Sequence, residues 1–355
     1  MILRHAQEKN VSISSNDKIA LISNLSTMLE AGIPILEAID SLLEDSKGGL
    51  KKVLETLRED VTQGKRIHYS FSKFPNVFNK VTVNIIKASE ESGTLDETLR
   101  DLKEIIAKEN EFNDKIKSAL IYPSVILLVF LAVLIVILTF VIPKISLVFS
   151  RLRVELPLPT KILIFISDLL LKQTIQVVVG IIIVVVGTFI LYKRNRRFFI
   201  SLFISLPVVS GLAKEIDLTR FSRSLYLLLN AGIPITGALE LAQDVVVKKE
   251  IEKAIAHSKE AVQSGKKLSE GLKDQRKNIP SIMIKLIEAG EKSGSLEKSM
   301  QDISVYFDYQ VGKMLVTATV LLEPIILIFT AVLVGGMMIS VIAPIYGLIG
   351  QVGPR

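Results

Sequence analysis

Apolar residues are arranged along this chain in two ways. In residues 16–117 and 217–313 they recur every three or four positions between charged residues, as at Ile19, Ile22 and Leu25. A spacing near 3.6 residues is typical of amphipathic helices that bury one face. Three other segments are apolar almost throughout. The pattern therefore predicts two helical bundles, at 16–117 and 217–313, and a separate set of apolar helices.

The apolar segments are long enough to cross a membrane. Residues 118–143 contain no ionisable acid or base, and neither do residues 173–192. A third apolar segment covers residues 319–350. About 20 helical residues span the hydrocarbon core of a bilayer, and buried helices of soluble proteins rarely reach this length without a polar face. We predict transmembrane helices at 118–143, 173–192 and 319–350.

Basic residues after the second apolar segment indicate the orientation. Lys193, Arg194, Arg196 and Arg197 follow it directly. Because loops rich in lysine and arginine stay in the cytoplasm, we expect residues 193–216 to form a basic cytoplasmic connector. The amino terminus would then be cytoplasmic and the carboxyl terminus external. Residues 144–172 would be an external loop with an interfacial helix at 160–172, and residues 1–15 a flexible arm that is not a signal peptide.

The chain repeats itself at a nearly constant interval. "ASEESGTLDETL" (88–99) returns as "AGEKSGSLEKSM" (289–300), with the glycines 201 positions apart. Pro123 and Pro324 are also 201 apart, as are Pro143 and Pro344. "AGIP" occurs at 31–34 and again 200 positions later. The interval indicates an internal duplication with one residue inserted in the second copy.

The "AGIP" copies have the composition of a corner between two helices. Gly32 and Gly232 can adopt the left-handed conformation that ends a helix, whereas Pro34 and Pro234 suit the first turn of the next helix. A loop that binds a partner is the alternative interpretation.

The longer repeated motif also has the composition of a turn between two helices. Gly93 and Gly294 can take positive φ at a helix end, and Thr94 and Ser295 are suitable N-cap residues for the helix that follows. We expect a structural turn in each repeat, with contact to a partner protein as the alternative.

The composition of the chain excludes several kinds of functional site. The chain has no cysteine, only three histidines far apart in sequence, and no phosphate-binding or hydrolase motif. We therefore predict no catalytic, cofactor or metal site. A net charge of +7 fits cytoplasmic loops of a membrane protein, and we do not expect nucleic-acid binding.

Two features of the third apolar segment suggest specific roles. Glu323 lies at its inner edge before Pro324, where a carboxylate is either functional or a cap in the headgroup region. Farther along, small residues four positions apart would let helices approach closely: Ala331 with Gly335, and Gly336 with Ser340.

Taken together, these motifs resemble those of the inner-membrane platform proteins of type IV pilus and type II secretion machines, the secretion F family. "GIP" and the "SG" motif occur twice. Both of the family's membrane signatures have counterparts, "ALIYPSV…VIPKISLVF" and "LLEPIIL…GGMMISVIAPIY", with the marked residues Tyr122, Pro123, Pro143, Glu323, Pro324 and Pro344. The first motif departs from the usual "GEKSG", and the amino-terminal arm is short.

The resemblance implies an all-α integral membrane protein of the bacterial inner membrane, with two homologous cytoplasmic bundles of six helices and three transmembrane helices. It implies a non-enzymatic platform that couples a cytoplasmic hexameric ATPase to the assembly of pilin or pseudopilin subunits. Other inner-membrane components, lipid and further copies of the chain would be its partners. A small transporter built from a repeated unit is the alternative, but such repeats usually contribute several spans each.

Overall fold

A computed structural model describes residues 11–144, 146–147, 158–173 and 207–351, with the single positions 176, 187 and 191. Every regular element in these ranges is a helix, which confirms the all-α prediction. The predicted second span at 173–192 lies almost entirely outside the described residues, and so does the basic cluster at 193–197. Most of the arm at 1–15 also lies outside them.

Each repeat contributes six helices to the described part of the chain. The first contains α1 (Ser15–Glu30), α2 (Ile35–Glu44), α3 (Gly48–Thr62), α4 (Ile67–Ser72), α5 (Lys80–Ser92) and α6 (Leu95–Val136), which a π-helix (Ile137–Val141) follows. Between the repeats lies α7 (Leu158–Lys172). The second contains α8 (Pro207–Asn230), α9 (Ile235–Gln243), α10 (Lys249–Gln263), α11 (Leu268–Lys273), α12 (Ser281–Ser293) and α13 (Leu296–Gln351).

The helices begin where their sequences provide caps. The Ser14 hydroxyl accepts a hydrogen bond from the amide of Asp17 at the start of α1, and the Asn79 side chain accepts one from the amide of Thr82 at the start of α5. These side chains satisfy amide groups that have no partner within the helix. The described part of α8 runs from Pro207, so residues 207–216, which the sequence assigns to the connector, are helical.

The "AGIP" segments form the same corner twice. Gly32 has φ of +79° and Gly232 has φ of +74°. Pro34 and Pro234 are the N-caps of α2 and α9, one position earlier than the first-turn site expected from the sequence. Proline is tolerated there because the preceding turn does not use its missing amide.

The described residues fall into two compact units. The first contains the helices of both repeats, up to Lys115 and from Pro207 to Gly312. One hydrophobic core runs through both repeats, with Phe71 and Phe78 stacked at 4.0 Å in the first and Phe221 fully buried in the second. Helix α5 of the first repeat packs against α8 and α9 of the second. The two repeats therefore share one folded body.

The second unit contains the apolar segments. Two helical regions, Leu95–Lys144 and Leu296–Gly336, include stretches long and apolar enough to span a membrane. Their apolar side chains are exposed around the helices, and they touch each other where the rings of Phe130 and Phe329 are 5.4 Å apart. Helix α7 packs against the π-helix, and the buried Ser167 hydroxyl donates a hydrogen bond to the Leu138 carbonyl over 2.6 Å.

Candidate functional site

A groove between the two repeats joins the glycine motif of one repeat to the corner of the other. A cavity of about 210 Å³ is lined by Ser92, Thr94 and Glu97 from the first repeat and by Asn230 and Ala231 from the second. A neighbouring cavity of about 190 Å³ shares several apolar lining residues with it. The structure thus brings together the first "SG" motif and the second "AGIP" corner.

The glycine motif adopts the same turn in both repeats. Gly93 has φ of +77° and Gly294 has φ of +70°, both left-handed C-caps. The amide of Thr94 donates to the Ser89 carbonyl over 3.0 Å, and the amide of Ser295 donates to the Gly290 carbonyl over 2.9 Å. These bonds close each helix end, a geometry that favours glycine over residues with a Cβ atom.

A glutamate in each motif holds the short fourth helix of its repeat, and neither glutamate was predicted from the sequence. Glu90 accepts hydrogen bonds from the amides of Ile67 (2.6 Å) and His68 (3.1 Å), and its carboxylate contacts the His68 ring. Glu291 accepts a bond from the amide of Ser269 over 3.3 Å. Because the two glutamates are 201 positions apart, the internal repeat could have identified them.

The far end of the groove carries half-buried basic groups. The Arg223 guanidinium lies 5.3 Å from the centre of the Phe112 ring, and Arg220 donates to the Asn113 side chain over 3.4 Å. Burial lowers the pKa of Arg223, although Asp308 and Glu109 oppose the shift. Cation–π contacts of this kind add to the packing between α6 and α8.

An exposed ion pair also joins the repeats. The Lys80 ammonium lies 2.5 Å from the Asp244 carboxylate, and that bond raises the pKa of Lys80. Both side chains are largely in solvent, so the pair contributes little to stability.

Repeat one contains a buried carboxylate that repeat two lacks. Asp60 accepts hydrogen bonds from Lys65 (2.9 Å), Ser70 (2.8 Å) and Lys73 (2.5 Å). At the corresponding positions of repeat two, Ala261 and Gly271 replace Asp60 and Ser70. A Cβ atom added at Gly271 would lie 3.0 Å from the Ala261 Cβ. The first repeat uses hydrogen bonds where the second uses close packing.

The described residues contain no cluster of three or more potential metal ligands. Within these ranges, His68 faces Glu90 and His257 lies 3.4 Å from Asp274 across the surface. The groove is lined by helix ends, hydroxyl groups and charged side chains.

Comparison with known proteins identifies the family. The family model for the type II secretion system (T2SS) protein F matches residues 21–143 and again residues 221–344. The chain belongs to this family. Both matches include the "AGIP" corner, the glycine motif and the membrane signature of their repeat up to its second proline, which confirms the resemblance inferred from the motifs.

Relatives within and around the family cover nearly the whole chain. A type IV pilus assembly protein PilC from Myxococcus xanthus is 28% identical over 96% of this chain and 82% of its own length. PilC from Thermus thermophilus is 29% identical over 92% of this chain and 81% of its own length. A type II secretion system protein F from Aeromonas hydrophila is 27% identical over 94% and 87%. The similarity therefore extends to both pilus and secretion proteins.

The membrane signatures of the T2SS F family lie on the apolar helices. Tyr122 and Pro123 are within α6, and Pro143 follows the π-helix. Helix α13 includes Glu323 and Pro344 and continues through Pro324, so that proline does not end the helix. The prolines are therefore accommodated inside apolar helices in both copies.

The small residues predicted for helix packing all lie on α13. A Cβ atom added at Gly335 or Gly336 would meet nothing within 4 Å among the described residues, and Ala331 is exposed. The last member of the set, Ser340, also belongs to α13. The role of these residues in helix packing stays a prediction.

Proposed function

We propose that this chain is a non-enzymatic inner-membrane platform of a type IV pilus or type II secretion machine. In this role it would couple a cytoplasmic hexameric assembly ATPase to the assembly of pilin or pseudopilin subunits into a fibre. Membership in the T2SS F family supports the proposal, together with relatives whose names refer to pilus assembly and secretion.

The observation that carries the proposal is the duplicated connection between soluble repeat and apolar helix. In each repeat, one helix begins two residues after the glycine of the turn and ends in an apolar segment. These helices are α6, after Gly93, and α13, after Gly294. A motor that acts on the repeats would thus act on the helices that enter the membrane. Exposed glycine turns in both repeats are candidate contacts for such a motor.

The proposed topology places both repeats in the cytoplasm. The basic residues at 193–197 support this arrangement through the bias of cytoplasmic loops toward lysine and arginine. A reporter fused after Arg197 should behave as cytoplasmic, and one fused after Arg355 as external. The reverse result at either position would contradict the arrangement.

The proposed contact with the fibre subunit is at Glu323. Its place before Pro324 in an apolar helix supports a role in binding, since a carboxylate near the membrane requires a donor or a cation. The amino-terminal region of a pilin would be the partner.

Deletion of this chain in its source bacterium tests the function. Fibres or secreted substrate should be lost, while the purified assembly ATPase still hydrolyses ATP and pilin still accumulates in the membrane. Purified protein in detergent should also retain the ATPase on an affinity column. Normal fibre assembly without the chain would refute the platform function, and failure to retain the ATPase would refute the coupling.

A further inference from the structure

The contact between the repeats uses two different faces. Repeat one contributes α5 and α6, and repeat two contributes α8 and α9. Because the repeats are duplicates, each also has a copy of the other face. A copy of the α5–α6 face lies on α12 and α13 of repeat two, and a copy of the α8 face lies on α1 of repeat one. Among the described residues, α13 meets repeat one at another position, where the Lys115 ammonium lies 3.9 Å from the Asp308 carboxylate.

The unused face of repeat two exposes apolar side chains that are covered in repeat one. Val81 is 4% exposed against α8, whereas Ile282, at the same position of repeat two, is 41% exposed. Tyr306, which corresponds to Ile105, is 39% exposed. We call this the outer face and define it by Ile282, Leu286, Lys298 and Tyr306. Exposed apolar positions whose duplicates form a helix contact indicate a surface that binds another helix.

The unused face of repeat one is the uncovered version of α8. It consists of Ala20, Ser23, Thr27 and Glu30, which we call the corner face. Ala20 and Thr27 are exposed, whereas the corresponding residues Arg220 and Leu227 are half-buried under α5 and α6. Glu30 and its counterpart Asn230 are both exposed. The corner face thus corresponds in position to the face of α8, but among the described residues no α5–α6 pair packs over it.

The two unused faces are complementary in size. Where α8 has two arginines facing repeat one, the corner face has the small residues Ala20 and Ser23. Where α6 has Ile105, the outer face has the larger Tyr306. The larger side chain on the outer face is thus matched by smaller side chains on the corner face, as close packing of helices requires.

The two faces are also complementary in charge. Glu97 and Asn230 line the same cavity between the repeats. Their duplicates are Lys298 on the outer face and Glu30 on the corner face, both exposed. A carboxylate and an amide within the chain thus become an ammonium and a carboxylate on the unused faces, and such a pair favours one partner and one register.

We propose that the outer face binds the corner face of a second copy of this chain. The contact between copies would repeat the contact between the repeats, so that α12 and α13 of one copy pack on α1 of the next. Such an interface is heterologous: a joined pair keeps one free outer face and one free corner face, so further copies add in a ring or an open row. The inference is independent of the proposed motor coupling.

The absence of cysteine from the chain permits a direct test by cross-linking. Two tagged copies are co-expressed in membranes, one with Asp302→Cys beside the outer face and one with Asn24→Cys beside the corner face, and treated with a short bismaleimide. Both positions are exposed. Glu55→Cys, exposed on α3, replaces Asn24→Cys in the control pair. Cells lacking the ATPase and pilin are used, so that failure of the proposed function would not affect the result.

We expect the mixed product to form with Asn24→Cys and not with Glu55→Cys. A copy carrying both Asp302→Cys and Asn24→Cys should give a ladder beyond the dimer. Lys298→Glu should lower the mixed product about two- to fivefold, and Glu30→Lys on the other copy should restore it. A product between two Asp302→Cys copies, dimers without a ladder, or no product at all would overturn the proposal, as would failure of the rescue.

Discussion

Replacing Asp60 by asparagine should loosen the first repeat locally. The Asp60 side chain is 3% exposed and accepts hydrogen bonds from Lys65, Ser70 and Lys73. Asparagine keeps the shape and one acceptor oxygen but removes the charge that both lysines contact. Two charge-assisted bonds between α3, α4 and the intervening turn would be weakened.

The side-chain exposures set the magnitude. Breaking a fully buried ion pair costs about 3–5 kcal/mol, because the remaining charge stays unpaired. Here Lys65 is 39% exposed and Lys73 is 14% exposed, so both ammonium groups can regain water. The expected loss is therefore smaller, about 2–3 kcal/mol, near the value for one hydrogen bond to a charged group.

Hydrogen–deuterium exchange of the full chain in detergent measures this loss by segment. Amides of α3 and α4 should exchange about 30- to 150-fold faster in Asp60→Asn, at 1.4 kcal/mol per factor of ten. The matched control is Asp40→Asn, since the Asp40 ion pair with Arg58 is exposed and should change exchange by less than about fivefold. Equal effects of the two substitutions would refute the reasoning.

The same carboxylate should make repeat one sensitive to acid. Burial alone would raise the pKa of Asp60, but the bonds from Lys73, Lys65 and Ser70 outweigh it and lower the pKa below its usual value. Its stabilising contribution is complete above the unfolded value, about pH 4, and is lost as the pH falls through the folded pKa. Protection of α3 should fall in that range in the native chain and not in Asp60→Asn.

Further substitutions test the turns and the membrane signature. Gly93→Ala or Gly294→Ala should destabilise its own turn by about 1–2 kcal/mol because φ is positive, whereas Gly312→Ala, at a helical glycine with open space, should not destabilise its helix. Exchange rates of the flanking helices measure both. Glu90→Ala should expose the amides at the start of α4 at a cost of about 1–2 kcal/mol, seen as faster exchange there only. Glu323→Gln should remain in the membrane but stop fibre assembly, counted by electron microscopy; a normal fibre count would leave the charge without a role.

The sequence predicts the helices and their turns well because both depend on local chemistry. Spacing of apolar residues identifies the amphipathic helices, and positive φ at Gly32 and Gly93 follows from glycine at a helix end. These features need no knowledge of the rest of the fold. The repeat interval then transfers each assignment from one half to the other.

The contact between the repeats could not be predicted in the same way. Duplication shows which positions correspond, but it does not show which faces meet. Val81 and Ile282 have similar side chains, and only the packing of α5 on α8 makes one buried and the other exposed. Glu90 was overlooked for a similar reason: its amide partners, Ile67 and His68, are more than 20 residues away.

The π-helix makes the ends of the two membrane signatures face different sides of their helices. Residues 338–342, which correspond to Ile137–Val141, are α-helical in the second copy. A π-turn holds one more residue than an α-turn, and each residue of an α-helix rotates the backbone by about 100°. The π-helix therefore rotates the backbone at Pro143 by about 100° around the helix axis, relative to the residues before it. The backbone at Pro344 has no such rotation. The second prolines of the two membrane signatures thus face directions that differ by about 100°, and deleting one residue from the π-helix would align them.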